Sequence, residues 1–275
     1  MNRSLLKVFG KSTLSILALL LAVVLVGQLV LAGIQYYTVG ESGNDVFATD
    51  CEYVDVLQYT KSFIPESIQN AVKQQGYTLE VVEEVPLGKL GAWFYGFDEG
   101  MDGVCSPLTK KITVKAVGED GPVKNNQFAV VFIHEYGHAV SYTYGHLSET
   151  KEFKAAYKEA LTKNTPMFGD YALQSSSEYF AASFMAYIVA RDQLRINYPE
   201  TAKFFDEFFT NANEINPRVG IFTYVARSYD YMFEKVTPAV PWMALVCVLF
   251  GLFMVLKQYK LDKLNLTPPV STTER

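Results

Sequence analysis

The sequence predicts an α+β fold, a small twisted sheet packed on helices and held between two membrane-spanning helices. Three observations carry this expectation. Long uncharged runs lie near both ends of the 275-residue chain, short β-rich runs broken by Pro, Gly and Asp precede its middle, and helical patterns follow. The first helix after the β-rich part carries His134-Glu135-Tyr136-Gly137-His138.

Residues 1–12 hold Arg3, Lys7 and Lys11, after which no charge occurs from Ser12 to Gly40. Residues 13–34 are long enough, at about 1.5 Å of rise per residue, to cross a hydrocarbon layer of about 30 Å. A second uncharged run extends from Val236 to Leu256, with the span itself placed at 238–256, and Lys257, Lys260 and Lys263 follow it. Because the basic residues lie outside both runs, the cytoplasmic ends are expected to be 1–12 and 257–275, with residues 35–237 on the outer side of the cell membrane. The alternative for the first run is a cleaved signal peptide, since Val30-Leu31-Ala32 resembles a cleavage site. The run exceeds the usual ~7–15-residue signal core, which favours a retained anchor.

Between the spans, Ser62–Gln75 reads as a helix with Pro65 in its first turn and Gly76 as its stop. Strands are expected at 77–82, 90–97 and 111–117. A long helix should run from Asn126 to Tyr144 and end at Gly145, followed by helices near 148–163, 176–192, 199–213 and 217–234. Phe204, Phe205, Phe208 and Phe209 form an aromatic stripe suited to a core or to a membrane surface. The tail after Lys263 is polar and contains Pro, as disordered tails do.

Charge excludes some partners. The two tails hold seven of the 24 Lys and Arg and two of the 29 Asp and Glu, leaving 17 basic and 27 acidic residues between them, a formal charge of −10. That balance disfavours nucleic acid or an anionic membrane surface as a partner and suits an ordinary solubilising exterior. Cys51 and Cys105 lie in the outer region, where either a disulfide or two reduced thiols is allowed; Cys247 lies in the second run.

The chemistry is concentrated in the HExxH pentapeptide. Histidines four apart share one helix face and can direct ring nitrogens at one ion, while Glu135 projects from the next strip, where it can take a proton from water at the ion. The apolar run Phe128–Ile133 should bury the first half of the helix, and Gly137 leaves room for a neighbour to pack closely. Catalytic zinc needs a third protein ligand. The spare histidine, His146, does not fit HExxHxxGxxH, because Ser141 and Tyr144 occupy the Gly and His positions. A downstream carboxylate remains. Glu149, Glu152 and Glu159 sit on a helix of alternating charge that looks exposed, whereas Glu178 lies in apolar surroundings, where a carboxylate needs a partner. Ser175-x-x-Glu178 also fits a capping box, which would occupy Glu178 on its own helix.

At these residues the chain resembles the catalytic domain of anthrax lethal factor and the related Pro-Pro endopeptidases, a gluzincin group. The family's segment of Tyr, six residues and Glu-aromatic-Phe-Ala-Glu-x-Phe is matched by Tyr171 and Glu178-Tyr179-Phe180-Ala181-Ala182-Ser183-Phe184. The resemblance implies a zincin-like metallopeptidase domain in which His134, His138 and Glu178 bind Zn2+, Glu135 is the general base and Tyr171 hydrogen-bonds the oxyanion. The alternative for Tyr171 is an ordinary loop aromatic, and Ala182 replaces the family's second glutamate, which touches on ligand orientation and substrate choice.

Together these readings describe a membrane-anchored zinc metalloendopeptidase acting on extracytoplasmic peptides or proteins. The substrate is expected to bind as an extended strand, with Lys111–Val117 as the candidate edge. The alternatives are an inactive, zinc-stabilised interaction module in the membrane and a secreted, toxin-like metalloprotease. Oligomeric state is open.

Overall fold

A computed structural model describes residues 3–40, 45–85, 102–118, 121–163, 167–236 and 240–265. The chain divides into two compact units, one of Met1–Val30 with Lys235–Arg275 and one of Leu31–Glu234. The first unit contains helix α1, Arg3–Tyr37, whose last two turns belong to the second unit, and a long C-terminal helix, Val240–Asn265. Among the described residues one helix, Thr13–Tyr37, is long and apolar enough to cross a membrane. Residues 240–256 of the second expected span lie within the C-terminal helix, and 237–239 lie outside the described residues.

The second unit begins with a short 3-10 turn at Val46–Ala48, then α2 (Val54–Lys61) and α3 (Glu66–Gln74), where sequence patterning anticipated only the latter. Pro65 is the N-cap of α3, and its fixed φ suits that position. The sheet follows: β1 (Thr78–Val82), β2 (Gly103–Ser106) and β3 (Lys111–Lys115), in the order β1-β3-β2. β1 runs parallel to β3 with Thr78 opposite Lys111, and β2 runs antiparallel with Cys105 opposite Ile112. The small ribbon β4 (Val117–Gly118) and β5 (Gly121–Pro122) follows. The strand expected at 90–97 lies outside the described residues.

This order corrects one expectation. β3 is paired on both sides, so the Lys111–Val117 segment is the centre of the sheet and not an edge. Ile112, Thr113 and Val114 are all buried, as a strand covered on both faces requires. Among the described residues the edge beside the HExxH helix is the short β2, which the sequence concealed because Gly103-Val104-Cys105-Ser106 has too few β-forming residues to register as a strand.

The HExxH helix is α4, Asn125–Thr143. It packs against β2 and β3 and on its other side against α6, Ser176–Val189. Phe128, Phe132 and Tyr136 recur every four residues and form one buried stripe. Phe128 stacks on Tyr53 at 3.9 Å between centroids, and Phe47 sets its edge against Phe132 at 5.7 Å. Gly145, at φ +71°, ends the helix where residues with a Cβ are strained. Between α4 and α6 come a 3-10 turn, Leu147–Glu149, and α5, Lys151–Ala160. After α6 the expected 176–192 helix breaks at Ala190, giving a separate α7, Arg191–Asn197, then α8, Pro199–Thr210, and α9, Ile221–Val236. The phenylalanine stripe of α8 is core: Phe205 and Phe208 are buried, and Phe204 and Phe205 meet Phe153 and Phe180.

His146 takes no part in the HExxH cluster. It is fully buried at φ +58°, ringed by Tyr142, Tyr224 and Tyr231, and neither ring nitrogen has a hydrogen-bond partner among the described residues. Burial, with the nearby Lys110 and Arg227 charges, pushes its pKa down to about 3. Since the folded value lies below the unfolded value of about 6.5, stability is lost as pH falls from about 6.5 towards 3, by up to about 1.4 kcal/mol per pH unit. His146→Asn, which tolerates positive φ and does not titrate, should flatten that part of the stability curve when denaturation midpoints are compared across pH.

Candidate metal centre

Two helices bring the metal-ligating residues together. α4 supplies His134 and His138 one turn apart, and the first turn of α6 supplies Glu178. The helices approach closely because of Gly137, where an added Cβ would lie 3.1 Å from the Ala181 backbone and 3.2 Å from the Phe184 Cβ. A larger residue there would push α6, and Glu178 with it, away from the histidines.

The Glu178 Oε2 lies 3.3 Å from the Nε2 of His134 and 3.3 Å from the Nε2 of His138, and one ligand atom from each of the three residues falls within 4.8 Å of the others. Zinc bonds of about 2.0–2.2 Å place neighbouring vertices of a tetrahedron about 3.3–3.6 Å apart, so the observed separations match two edges of such a site. The donor set, two imidazole nitrogens and one carboxylate oxygen, is also one that zinc takes in catalytic centres. Ser175 Oγ accepts the backbone N–H of Glu178 at 3.2 Å, so the serine half of the expected capping box forms while the glutamate side chain faces the histidines.

Ser177 Oγ is 3.3 Å from Nδ1 of His138. A proton on Nδ1 donated to that oxygen leaves Nε2 as the lone-pair donor facing Glu178. Tyr142 stacks against the His138 ring at 6.1 Å and shares a 3.3 Å hydroxyl contact with Tyr231.

Glu135 lies on the flank of α4 that faces β2. Gly103 makes this possible, since a Cβ there would sit 2.8 Å from the Glu135 Cγ and 2.7 Å from a Val131 methyl. The backbone N–H of Cys105 donates to the Glu135 carboxylate. Burial pushes this carboxyl up to about 7, and Glu178 adds to the rise, while His134 and the Cys105 N–H oppose it. Tyr171 is 45% exposed, yet its hydroxyl bonds to Glu178; burial of that end and the Glu178 and Glu135 charges raise its pKa. Ala182, one turn beyond Glu178, is buried in the apolar core. Cys105 is buried and Cys51 partly so, and both are free thiols.

Sequence reasoning missed Ser177, Gly103 and Cys105. The three serines at positions 175–177, ahead of an otherwise apolar helix, were the available signal for the first. Glu149 was also misjudged. Expected on an exposed helix, it sits in the 3-10 turn with its side chain fully buried. Its Oε1 accepts from Ser148 Oγ at 3.1 Å and Ser176 Oγ at 2.8 Å, and its Oε2 pairs with Lys154 at 2.7 Å. Ser148 is tied in turn to Ser141 on α4, so one carboxylate joins α4 to the start of α6.

Glu149→Ala leaves the buried Ser148 and Ser176 hydroxyls without their acceptor while the partly exposed Lys154 keeps Asp230, so it should lower stability by about 1–3 kcal/mol in chemical denaturation. Glu149→Gln keeps an acceptor for the serines and should lose less.

No curated protein matches the chain. Among solved structures, the Pro-Pro endopeptidase PPEP-2 from Paenibacillus alvei is 22% identical, with 64% of this chain and 100% of that chain covered and a TM-score of 0.43. The family model described as anthrax toxin lethal factor, N- and C-terminal domain, matches residues 48–208, more than half of the 275. The chain belongs to that family and is one of its zinc metallopeptidases.

Proposed function

We propose that the protein is a membrane-anchored zinc endopeptidase whose residues 35–237 work on the outer side of the membrane. The observation that carries the catalytic reading is the convergence of His134, His138 and Glu178 beside the buried Glu135. Zinc, when bound by these three residues, polarises the scissile carbonyl and lowers the pKa of a water molecule.

Glu135 then takes a proton from the attacking water on its carboxylate and delivers it to the departing amine as the C–N bond breaks. The Cys105 N–H holds that carboxylate in place throughout. Tyr171 donates its hydroxyl to the carbonyl oxygen as that atom gains negative charge, exchanging its bond to Glu178 for one made in the transition state.

The substrate is read as an extended strand laid along β2. Lys115 N–H bonds to the Asp102 carbonyl, so in the antiparallel alternation the Gly103 N–H and the Gly103 and Cys105 carbonyls point away from β3 for a substrate strand, while the Cys105 N–H stays on Glu135. Strand addition there runs a peptide past Glu135, with register set by the backbone and side-chain choice left to the surroundings. The anchoring rests on the Thr13–Tyr37 helix and, for a second span over 238–256, on the apolar C-terminal helix, with Arg3, Lys7 and Lys11 before the first and Lys257, Lys260 and Lys263 after the second.

Three substitutions separate the roles. Glu178→Ala should lose both zinc and peptide hydrolysis; Glu135→Gln should keep one zinc per chain and lose hydrolysis; Tyr171→Phe should keep the metal while kcat falls about 10²-fold. Metal content by atomic absorption, read beside turnover of a peptide library, checks all three, and a fully active Glu135→Gln would sink the mechanism. For topology, tags at both termini should resist external protease in intact cells while the middle is cut; cleavage of the C-terminal tag would remove the second span.

A further inference from the structure

Helix α9 docks on the end of the HExxH helix, and it lies beyond residues 48–208, the part of the chain that the family model matches. Tyr224, Arg227 and Tyr231 recur at helical spacing on one face of it. The Tyr224 and Tyr231 rings meet the buried His146 ring at 5.0 and 5.4 Å, and the Arg227 guanidinium donates to the Gly145 carbonyl at 3.2 Å. Next to this face, Asp230 pairs with Lys154 at 3.2 Å. All of these residues belong to the Leu31–Glu234 unit.

Tyr231 reaches further than the others. Its hydroxyl lies 3.3 Å from the Tyr142 hydroxyl, and its ring stands edge to face against the Tyr142 ring at 5.9 Å. Tyr142 follows His138 by one helical turn, and the two rings are 15° from parallel with centroids 6.1 Å apart. Tyr142 is buried, and a buried hydroxyl is costly without a partner; among the described residues Tyr231 supplies it.

The His138 ring gains from such support. A ligand imidazole can turn about its side-chain bonds, and a lone pair swung away from the ion binds it less well. Ser177 Oγ at Nδ1 and Glu178 Oε2 at Nε2 hold the ring through its nitrogens. The nearly parallel Tyr142 ring leaves it less room to rotate, provided that Tyr142 is itself fixed.

We infer that Tyr231 is a positioning residue of the metal centre, which anchors Tyr142 from α9 and through it orients the ring of His138. The inference rests on reading His134, His138 and Glu178 as the zinc ligands. It gives a helix beyond the matched residues a share in metal binding.

The test uses the purified full-length chain, stripped of metal and reloaded with Zn2+ or Co2+. Competition with a chromophoric chelator gives the zinc affinity, and the visible absorption of Co2+ reads the ligand geometry. Tyr231→Phe should keep one metal per chain, with zinc affinity lower by about 10-fold and the cobalt bands shifted. Tyr142→Phe should act in the same direction, and the double substitution should cost no more than the larger single one, because both remove the same contact. Tyr224→Phe deletes a hydroxyl from the same docking face that has no hydrogen-bond partner among the described residues, so both readouts should stay at wild type. If His138→Ala loses the metal while Tyr231→Phe matches wild type in affinity and spectrum, the positioning role is overturned and the metal centre stands. If His138→Ala binds zinc as tightly as wild type, the ligand set is wrong and the inference falls with it. Equal losses in Tyr231→Phe and Tyr224→Phe would show general packing of α9 and also overturn the proposal.

Discussion

The close approach of α4 and α6 at Gly137 is the constraint from which the rest of the site follows. Histidines at positions 134 and 138 can share an ion on one helix alone, but a carboxylate must arrive from elsewhere, and it arrives only if two backbones come nearer than ordinary side chains permit. With no Cβ at 137, the Ala181 backbone and Phe184 pack directly on α4, and the first turn of α6 delivers Glu178 to 3.3 Å from both rings. The same turn contributes Ser175 as its cap and Ser177 to His138, so three consecutive functions depend on one helix start.

Such a start, buried and polar from Ser175 to Glu178, needs polar partners of its own to be held in place. Glu149 provides one from below. A buried carboxylate is costly unless satisfied, and here Ser148, Ser176 and Lys154 satisfy it while Ser141 ties the same turn to α4. On the opposite flank a second missing Cβ, at Gly103, lets β2 lie against Glu135 and point the Cys105 N–H at its carboxylate. The sheet therefore contributes a backbone donor for the carboxylate of Glu135.

Aromatic packing explains why these close contacts survive. Phe128, Phe132 and Tyr136 fix the back of α4 against Phe47 and Tyr53, while the phenylalanines of α8 brace α6 through Phe180 and Phe184. Each helix bearing a ligand is thus pinned on the side away from the metal, and the polar groups are left on the side facing it. Dense packing of this kind transmits a displacement of one helix to its neighbour, which makes the ligand geometry sensitive to volume changes well removed from the ion.

What the sequence determined by itself was local. The periodicity of HExxH sets two imidazoles on one face whatever surrounds them, the apolar run before it marks a buried helix, the uncharged run of residues 13–34 marks a long apolar helix, and Gly145 marks where α4 stops. Glu178 was legible because a carboxylate among apolar residues needs a partner, although spacing alone left a helix cap as a rival. What only tertiary structure decided was set by neighbours distant in the chain. Lys111–Lys115 reads as any half-exposed strand until β1 and β2 pair with it on both sides, which turns an expected edge into the centre of the sheet. Glu149 reads as a surface charge until Ser176, 27 residues away, closes over it. β2 is too short and too poor in β-formers to announce itself, and it becomes a strand because β3 and α4 leave room for one there. Local periodicity is written in consecutive residues; pairing order and burial are properties of what the rest of the chain brings alongside.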